Sequence, residues 1–102
     1  MRSKIEGFEW DEGNWPKCGK HGVPKIEIEQ VLRSDPLVLP DRHPQDVETR
    51  FDAVGKNSDG RYIFVVFTLR DREGKRLIRP ISARYMHVKE IESYERQTGE
   101  QP

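Results

Sequence analysis

The chain has 102 residues and 12.0 kDa, which predicts a single domain, residues 1–102 with a core spanning about 5–97, and excludes two folded domains. Hydrophobic residues make up 33% and charged residues 35%, too lean a core for a large enzyme that encloses its substrate. Lys plus Arg number 18 and Asp plus Glu number 18, so bulk attraction alone does not hold this chain on nucleic acid.

Ile5 to Trp10 reads as a short first strand with Phe8 and Trp10 on one face. Between Asp11 and Lys20, Pro16 and Gly19 allow only a short or broken helix. Pro24 suits the start of a second helix, in which Ile28, Val31 and Leu32 recur at helical spacing until Ser34-Asp35-Pro36 stops it. Leu37 to Leu39 reads as an edge strand and Asp41 to Asp46 as a loop. Glu48–Lys56, Arg61–Arg70 and Lys75–Arg84 then form three strands, joined by two polar connections that end in Gly60 and Gly74. The middle strand is apolar on both faces, the mark of a central strand. Met86 to Gln97 closes the chain as a helix with Val88, Ile91 and Tyr94 on one side. The expected class is α+β: a twisted antiparallel sheet, two short N-terminal helices and a C-terminal helix.

The balanced charge is unevenly distributed. Residues 1–60 carry nine basic and twelve acidic side chains, net −3; residues 61–90 carry eight and three, net +5; the last twelve are net −2. A local phosphate-binding face is therefore compatible with overall neutrality, and a solvated sheet surface is the competing explanation.

Lone Cys18 forms no internal disulfide, and one thiol with three scattered histidines shows no zinc spacing, so neither metal nor cofactor is expected. The N-terminus lacks an apolar signal region and no run reaches the roughly eighteen apolar residues of a membrane span, which predicts the cytoplasm and no membrane partner.

Lys20-His21-Gly22 sets a cation beside an imidazole at a helix end, an arrangement suited to proton transfer near neutrality, although one histidine in a turn more often caps a helix or lies on the surface. His43 and His87 read as surface residues. Arg79 sits among Leu77, Pro80 and Ile81, and a charge beside apolar neighbours needs a partner, either a bound phosphate or a salt bridge to Glu48 or Asp52. Pro80 lacks an N–H, which points to an edge or a bulge that re-aims Arg79, Ser82 and Arg84. Arg50 and Arg70 lie on the neighbouring strands. Hairpins counted at face value set Arg79 opposite Val66 and Arg50 on the other face, so simple pairing does not bring the arginines together. Trp10 and Trp15 read as core residues rather than base-stacking platforms.

Three segments together carry a resemblance: Phe8-Glu9-Trp10-Asp11-Glu12 followed by Lys20-His21-Gly22-Val23; Asp35-Pro36 leading to Glu48-Thr49-Arg50; and Gly60-Arg61 leading to Ile81-Ser82-Ala83-Arg84. The chain resembles the BrnT family of bacterial toxins over residues 8–96. That resemblance implies a RelE-like fold and a metal-independent endoribonuclease that cleaves RNA and inhibits translation. It further implies a ribbon-helix-helix antitoxin of the BrnA type as partner, with DNA reached only through that antitoxin. By position it assigns His21, Arg50, Arg79 and Ser82 to catalysis and Lys20, Arg70 and Arg84 to RNA binding. The chain departs from the family pattern at Pro16-Lys17-Cys18-Gly19, where many members continue a helix, and at Tyr85-Met86-His87, which replaces a more basic stretch. The alternative is a catalytically inactive binding protein of the same fold that acts with its antitoxin in repression or RNA binding.

Overall fold

The computed structural model describes residues 5–42 and 48–99, so His43 and most of the 41–46 loop lie outside the described residues. The described chain is α+β, with a four-stranded antiparallel sheet in the order β1 (Leu37–Pro40), β2 (Phe51–Lys56), β3 (Tyr62–Arg72) and β4 (Lys75–Tyr85). A 3₁₀ turn at Lys17–Gly19 and helix α1 (Lys25–Arg33) precede the sheet, and helix α2 (Val88–Thr98) follows it.

Helix α1 starts after Pro24, whose fixed φ is already compatible with entry into a helix, and buries Ile28 and Val31 against one sheet face. There Ala53, Ile63, Val65, Phe67, Ile78 and Ala83 meet them, and Cys18 and Val23 complete the packing. Trp10 and Trp15 are partly buried against this core and meet edge to face at 5.4 Å, as expected of structural tryptophans.

The two hairpins differ from the face-value count, and the differences decide which way the arginines point. The β3–β4 turn is only Glu73-Gly74, with φ of 51° and 80°, the two left-handed residues of a tight hairpin. Asp71 and Arg72 therefore belong to β3, and Arg79 lies opposite Thr68 instead of Val66. The β2–β3 connection is longer. The Asn57 side chain accepts the backbone N–H groups of Asp59 and Arg61, which keeps Arg61 inside the turn and pairs Lys56 with Tyr62. That single residue reverses the facing of everything upstream on β2 relative to β3.

The expected first strand is reduced to one parallel bridge, Phe8 to Ile78, with hydrogen bonds from Glu6 and Glu9 to the carbonyls of Arg76 and Ile78. Pairing goes no further because the next outward-facing position on β4 is near Pro80, which has no N–H; instead the Asn14 side chain donates to the Pro80 carbonyl at 2.9 Å. In α2, Ile91 and Tyr94 are half-buried, but Val88 is 70% exposed. Glu90 holds Arg84 and Tyr94 meets Tyr62, and Val88, two residues before Glu90, falls on the opposite side of the helix.

Candidate functional site

The face of the sheet away from α1 collects most of the candidate side chains. Ser82 pairs with Val66 and Pro80 with Phe67, so Ile81 is the extra residue of a bulge in β4. Without it Arg79 would point away from Ser82 and Arg84; with it all three leave β4 on one face. The re-aiming suggested by Pro80 is thus present. Across the sheet, the register of β2 and β3 puts Arg50 on the same side, in a row with Thr68 and Arg79, while Arg70 follows Thr68 two residues on. The separation of Arg50 from Arg79 expected from simple pairing is overturned by the longer β2–β3 turn.

These arginines are not bare. Arg79 Nη1 donates to Glu9 Oε1 and Asp11 Oδ2, both at 2.9 Å, and Nη2 to Asp11 Oδ1 at 3.0 Å. Arg72 Nε reaches Glu9 Oε2 at 2.6 Å, and Arg70 bridges Glu9 at 3.9 Å and Glu48 at 2.8 Å. Arg50 Nε donates to Glu48 at 3.2 Å. The salt-bridge partners expected for Arg79, Glu48 or Asp52, are therefore replaced by Glu9 and Asp11, because the N-terminal segment lies along β4 with those two side chains turned toward this face. Gly13 makes the approach possible: a Cβ there would stand 2.9 Å from Arg79 Nη2.

The electrostatics follow from this pairing. Hydrogen bonds from Arg72 and then Arg79 hold the Glu9 carboxyl below its ordinary range, although burial pushes the other way. Arg79, with help from the Gly13 N–H, does the same for Asp11. Burial pushes Glu48 up, but Arg70 and Arg50 outweigh it and keep that group low as well. Four guanidinium groups (Arg50, Arg70, Arg72, Arg79) thus face three carboxylates, and the three of them that belong to residues 61–90 are met by carboxylates from outside that segment. Arg84 is likewise held by both oxygens of Glu90, at 2.7 and 2.8 Å, and lies over the Phe64 ring.

Of the residues singled out by sequence, Arg50, Arg70, Arg79, Ser82 and Arg84 share this face. Lys20 and His21 do not join them: both are exposed in the turn between the 3₁₀ segment and α1, where the Lys20 backbone N–H donates to the Lys17 carbonyl at 3.2 Å, and among the described residues neither side chain is seen in a hydrogen bond or ion pair with the arginine face. His87 is the exposed residue that caps α2.

Sequence reasoning missed Glu9, Asp11 and Arg72 as members of the network. The signal was available: Glu9 and Asp11 alternate with the half-buried Phe8 and Trp10, so the two carboxylates must turn away from the core. It also missed a carboxyl pair at the β1 edge, where burial first, and then the neighbouring Asp41, push the Asp52 carboxyl up. Among the described residues no group of three or more His, Cys, Asp or Glu side chains is arranged to hold a metal ion, and no helix is long and apolar enough to cross a membrane.

A small α+β domain with one packed sheet face and one face of pre-oriented arginines, a serine and a carboxyl pair is suited to handling phosphodiesters. The family model for the ribonuclease toxin, BrnT, of type II toxin-antitoxin systems matches residues 10–90, and the chain belongs to that family. The matched span contains Asp11, Arg79, Ser82 and Arg84 together with Lys20 and His21. None of the curated proteins compared with the chain matches it. Family membership makes the protein a ribonuclease toxin of a type II toxin-antitoxin system, with a cognate antitoxin as its partner.

Proposed function

We propose that this toxin is a single-domain, RelE-like, metal-independent endoribonuclease of the cytoplasm that inhibits translation by cutting RNA bound across the arginine face. Its antitoxin is then a ribbon-helix-helix protein that covers this face and supplies the only link to DNA. The observation that carries the reading is the bulge at Ile81, which puts Arg79, Ser82 and Arg84 on one side of β4, the side that also bears Arg50 and Arg70.

Cleavage of RNA without metal requires activation of the 2′-hydroxyl, cationic stabilisation of the phosphorane, and protonation of the departing 5′-oxygen. Arg79 suits the second task. Its fork is fixed by Glu9 and Asp11, so orienting it on a phosphate costs little at the moment of reaction. Asp11 is half exposed, and an incoming phosphate displaces it more readily than the better-buried Glu9. Arg50 supplies a second cation from the residue before β2, Ser82 a hydroxyl donor, and Arg70 and Arg84 contacts along the RNA backbone. The resemblance assigns RNA binding to Lys20 and proton transfer to His21, both of which lie off this face; His21→Ala tests the latter.

One observation favours the alternative of an inactive binding module: Arg79 is already engaged by two carboxylates, a purely structural arrangement if no phosphate competes for it. A single assay separates the two. The purified chain, incubated with single-stranded RNA in EDTA, is expected to release fragments ending in 2′,3′-cyclic phosphate. RNA binding without cleavage establishes the inactive module, and cleavage that vanishes in EDTA and returns with magnesium defeats the metal-independent mechanism.

A further inference from the structure

We infer that the Asp41–Asp52 carboxyl pair is the proton-transfer element of the ribonuclease reaction, serving the phosphate held by Arg50 and Arg79. The inference rests on the ribonuclease reading above. Its starting point is position. Leu39 pairs with Asp52 and Pro40 with Phe51, and the Asp41 N–H donates to the Arg50 carbonyl at 3.0 Å, so the chain continues in register and Asp41 stands beside Arg50. Asp52 follows Arg50 by two residues on the same face, in a row with Val66 and Ser82. The carboxyl pair therefore closes the β1 side of the same face that Arg79 and Ser82 occupy on β4.

The second observation is chemical. Asp41 lies diagonal to Asp52 on the same face, two residues beyond Asp52's partner Leu39, and two carboxyl groups set so close hold a proton more readily than they both ionise. Asp52 Oδ1 is buried and accepts no hydrogen bond among the described residues, a poor environment for charge on that group. The neighbours that bear on the pair are Arg42 two residues past β1, Arg50 just before β2 and, across the uncharged Val66 and Thr68, Ser82 and Arg79 on β4. Burial first, and then the hydrogen bond and charge of Asp41, push Asp52 up to about 7, with Arg42 opposing. A carboxyl pair carrying one proton near neutrality has both an acceptor and a donor ready.

The step balances. The ionised member takes the 2′-hydroxyl proton as the 2′-oxygen bonds to phosphorus; the bond from phosphorus to the 5′-oxygen breaks, and the pair's original proton passes to that oxygen. The products are a 2′,3′-cyclic phosphate and a free 5′-hydroxyl, and the pair again holds one proton.

The test is the pH profile of RNA cleavage in EDTA for the wild-type chain and for Asp52→Asn, Asp41→Asn and His21→Ala, each checked for folding by thermal melting. Asp52→Asn, an isosteric change that removes a poorly solvated charge, is expected to stay folded, to lower kcat by about 10²–10³-fold with RNA affinity unchanged, and to lose the titration near neutrality. Asp41→Asn should do the same if the pair works as a unit. A wild-type rate and profile in both variants overturns the inference while leaving the ribonuclease reading intact, as does loss of the neutral titration in His21→Ala alone. Absence of RNA cleavage by the wild type overturns both.

Discussion

The two faces of the sheet solve opposite problems with the same strands. On the α1 side, Ile63 and Val65 are fully buried, and that face depends on shape and desolvation. On the other side, Arg79 and Arg70 leave the same strands, and Arg50 the residue just before β2, into a lattice of carboxylates, with side chains 16–32% exposed. The packed face depends on volume and needs no particular partner; the charged face depends on its ion pairs and buries few apolar side chains, Val54 and Tyr62 among them. Because β4 serves both, one inserted residue, Ile81, lets an apolar run and an arginine site coexist in a strand of eleven residues. The fold's stability and the site's chemistry should therefore separate under mutation.

The largest effect expected falls on the packed face. Ile63→Ala removes three buried carbons at a position with no solvent exposure, and a loss of about 2–5 kcal/mol of folding stability is expected, read from urea unfolding. Stability is marginal in a domain this small, so such a loss takes a large share of the total. A cost below about 1 kcal/mol would show that this face is loosely packed and would weaken the contrast.

Next comes the charged face. Arg79→Ala is expected to lower RNA cleavage by about 10²-fold or more through lost phosphorane stabilisation, and Arg79→Lys to recover only part of it because the two-pronged fork is gone. Melting curves of both variants carry the comparison. If Arg79→Ala unfolds the protein as Ile63→Ala is expected to, Arg79 belongs to the frame rather than to the chemistry.

The sequence made the packed face far more readable than the charged one. Periodicity alone identifies Ile63, Val65 and Phe67 as one side of a central strand, because burial of apolar side chains is a local pattern with a period of two. Which arginines meet is not local. The facing of Arg50 depends on whether Arg61 belongs to a turn, settled by the Asn57 side chain, and the partners of Arg79 come from residues 68 and 70 positions away in the chain. Pro80 did announce the bulge, since a missing N–H is visible in sequence. Lys20 and His21 show the converse: their types suit chemistry, but no local rule says where the turn that carries them lies relative to the arginines.

A smaller effect, opposite in sign, is expected at Asp52. Its carboxyl sits at about 7 in the folded protein against an ordinary value of 3.8, so the unfolded chain ionises first. Folded stability then falls as pH rises from about 4 to about 7 and stays low above that. Asp52→Asn should raise Tm at pH 8 and change it little at pH 4. An unchanged Tm at pH 8 would mean that Asp52 carries no desolvation cost and that the carboxyl pair is better solvated than its buried Oδ1 indicates.

The smallest effect tests how α2 is held to the charged face. Glu90 accepts both Arg84 Nη groups and the His87 N–H, and the pull of Arg84 first, then of that N–H, lowers its carboxyl to about 2. With the folded value depressed, the contribution to stability is complete above the unfolded value of about 4.5 and disappears as pH falls through about 2. Both partners are 36% exposed, so solvent screening limits the pair to the range of surface ion pairs, about 0.2–1 kcal/mol. Glu90→Gln should therefore lower Tm slightly at pH 7, less at high salt, and not at all near pH 2. Since α2 buries no side chain fully, this pair and the contacts of Tyr62 with Tyr94 and Glu95 are the principal ties between helix and sheet. Amide exchange in α2 should rise in Glu90→Gln while that of β3 stays unchanged; equal acceleration in both would show that helix and sheet open together, and that the separation of the two faces does not extend to α2.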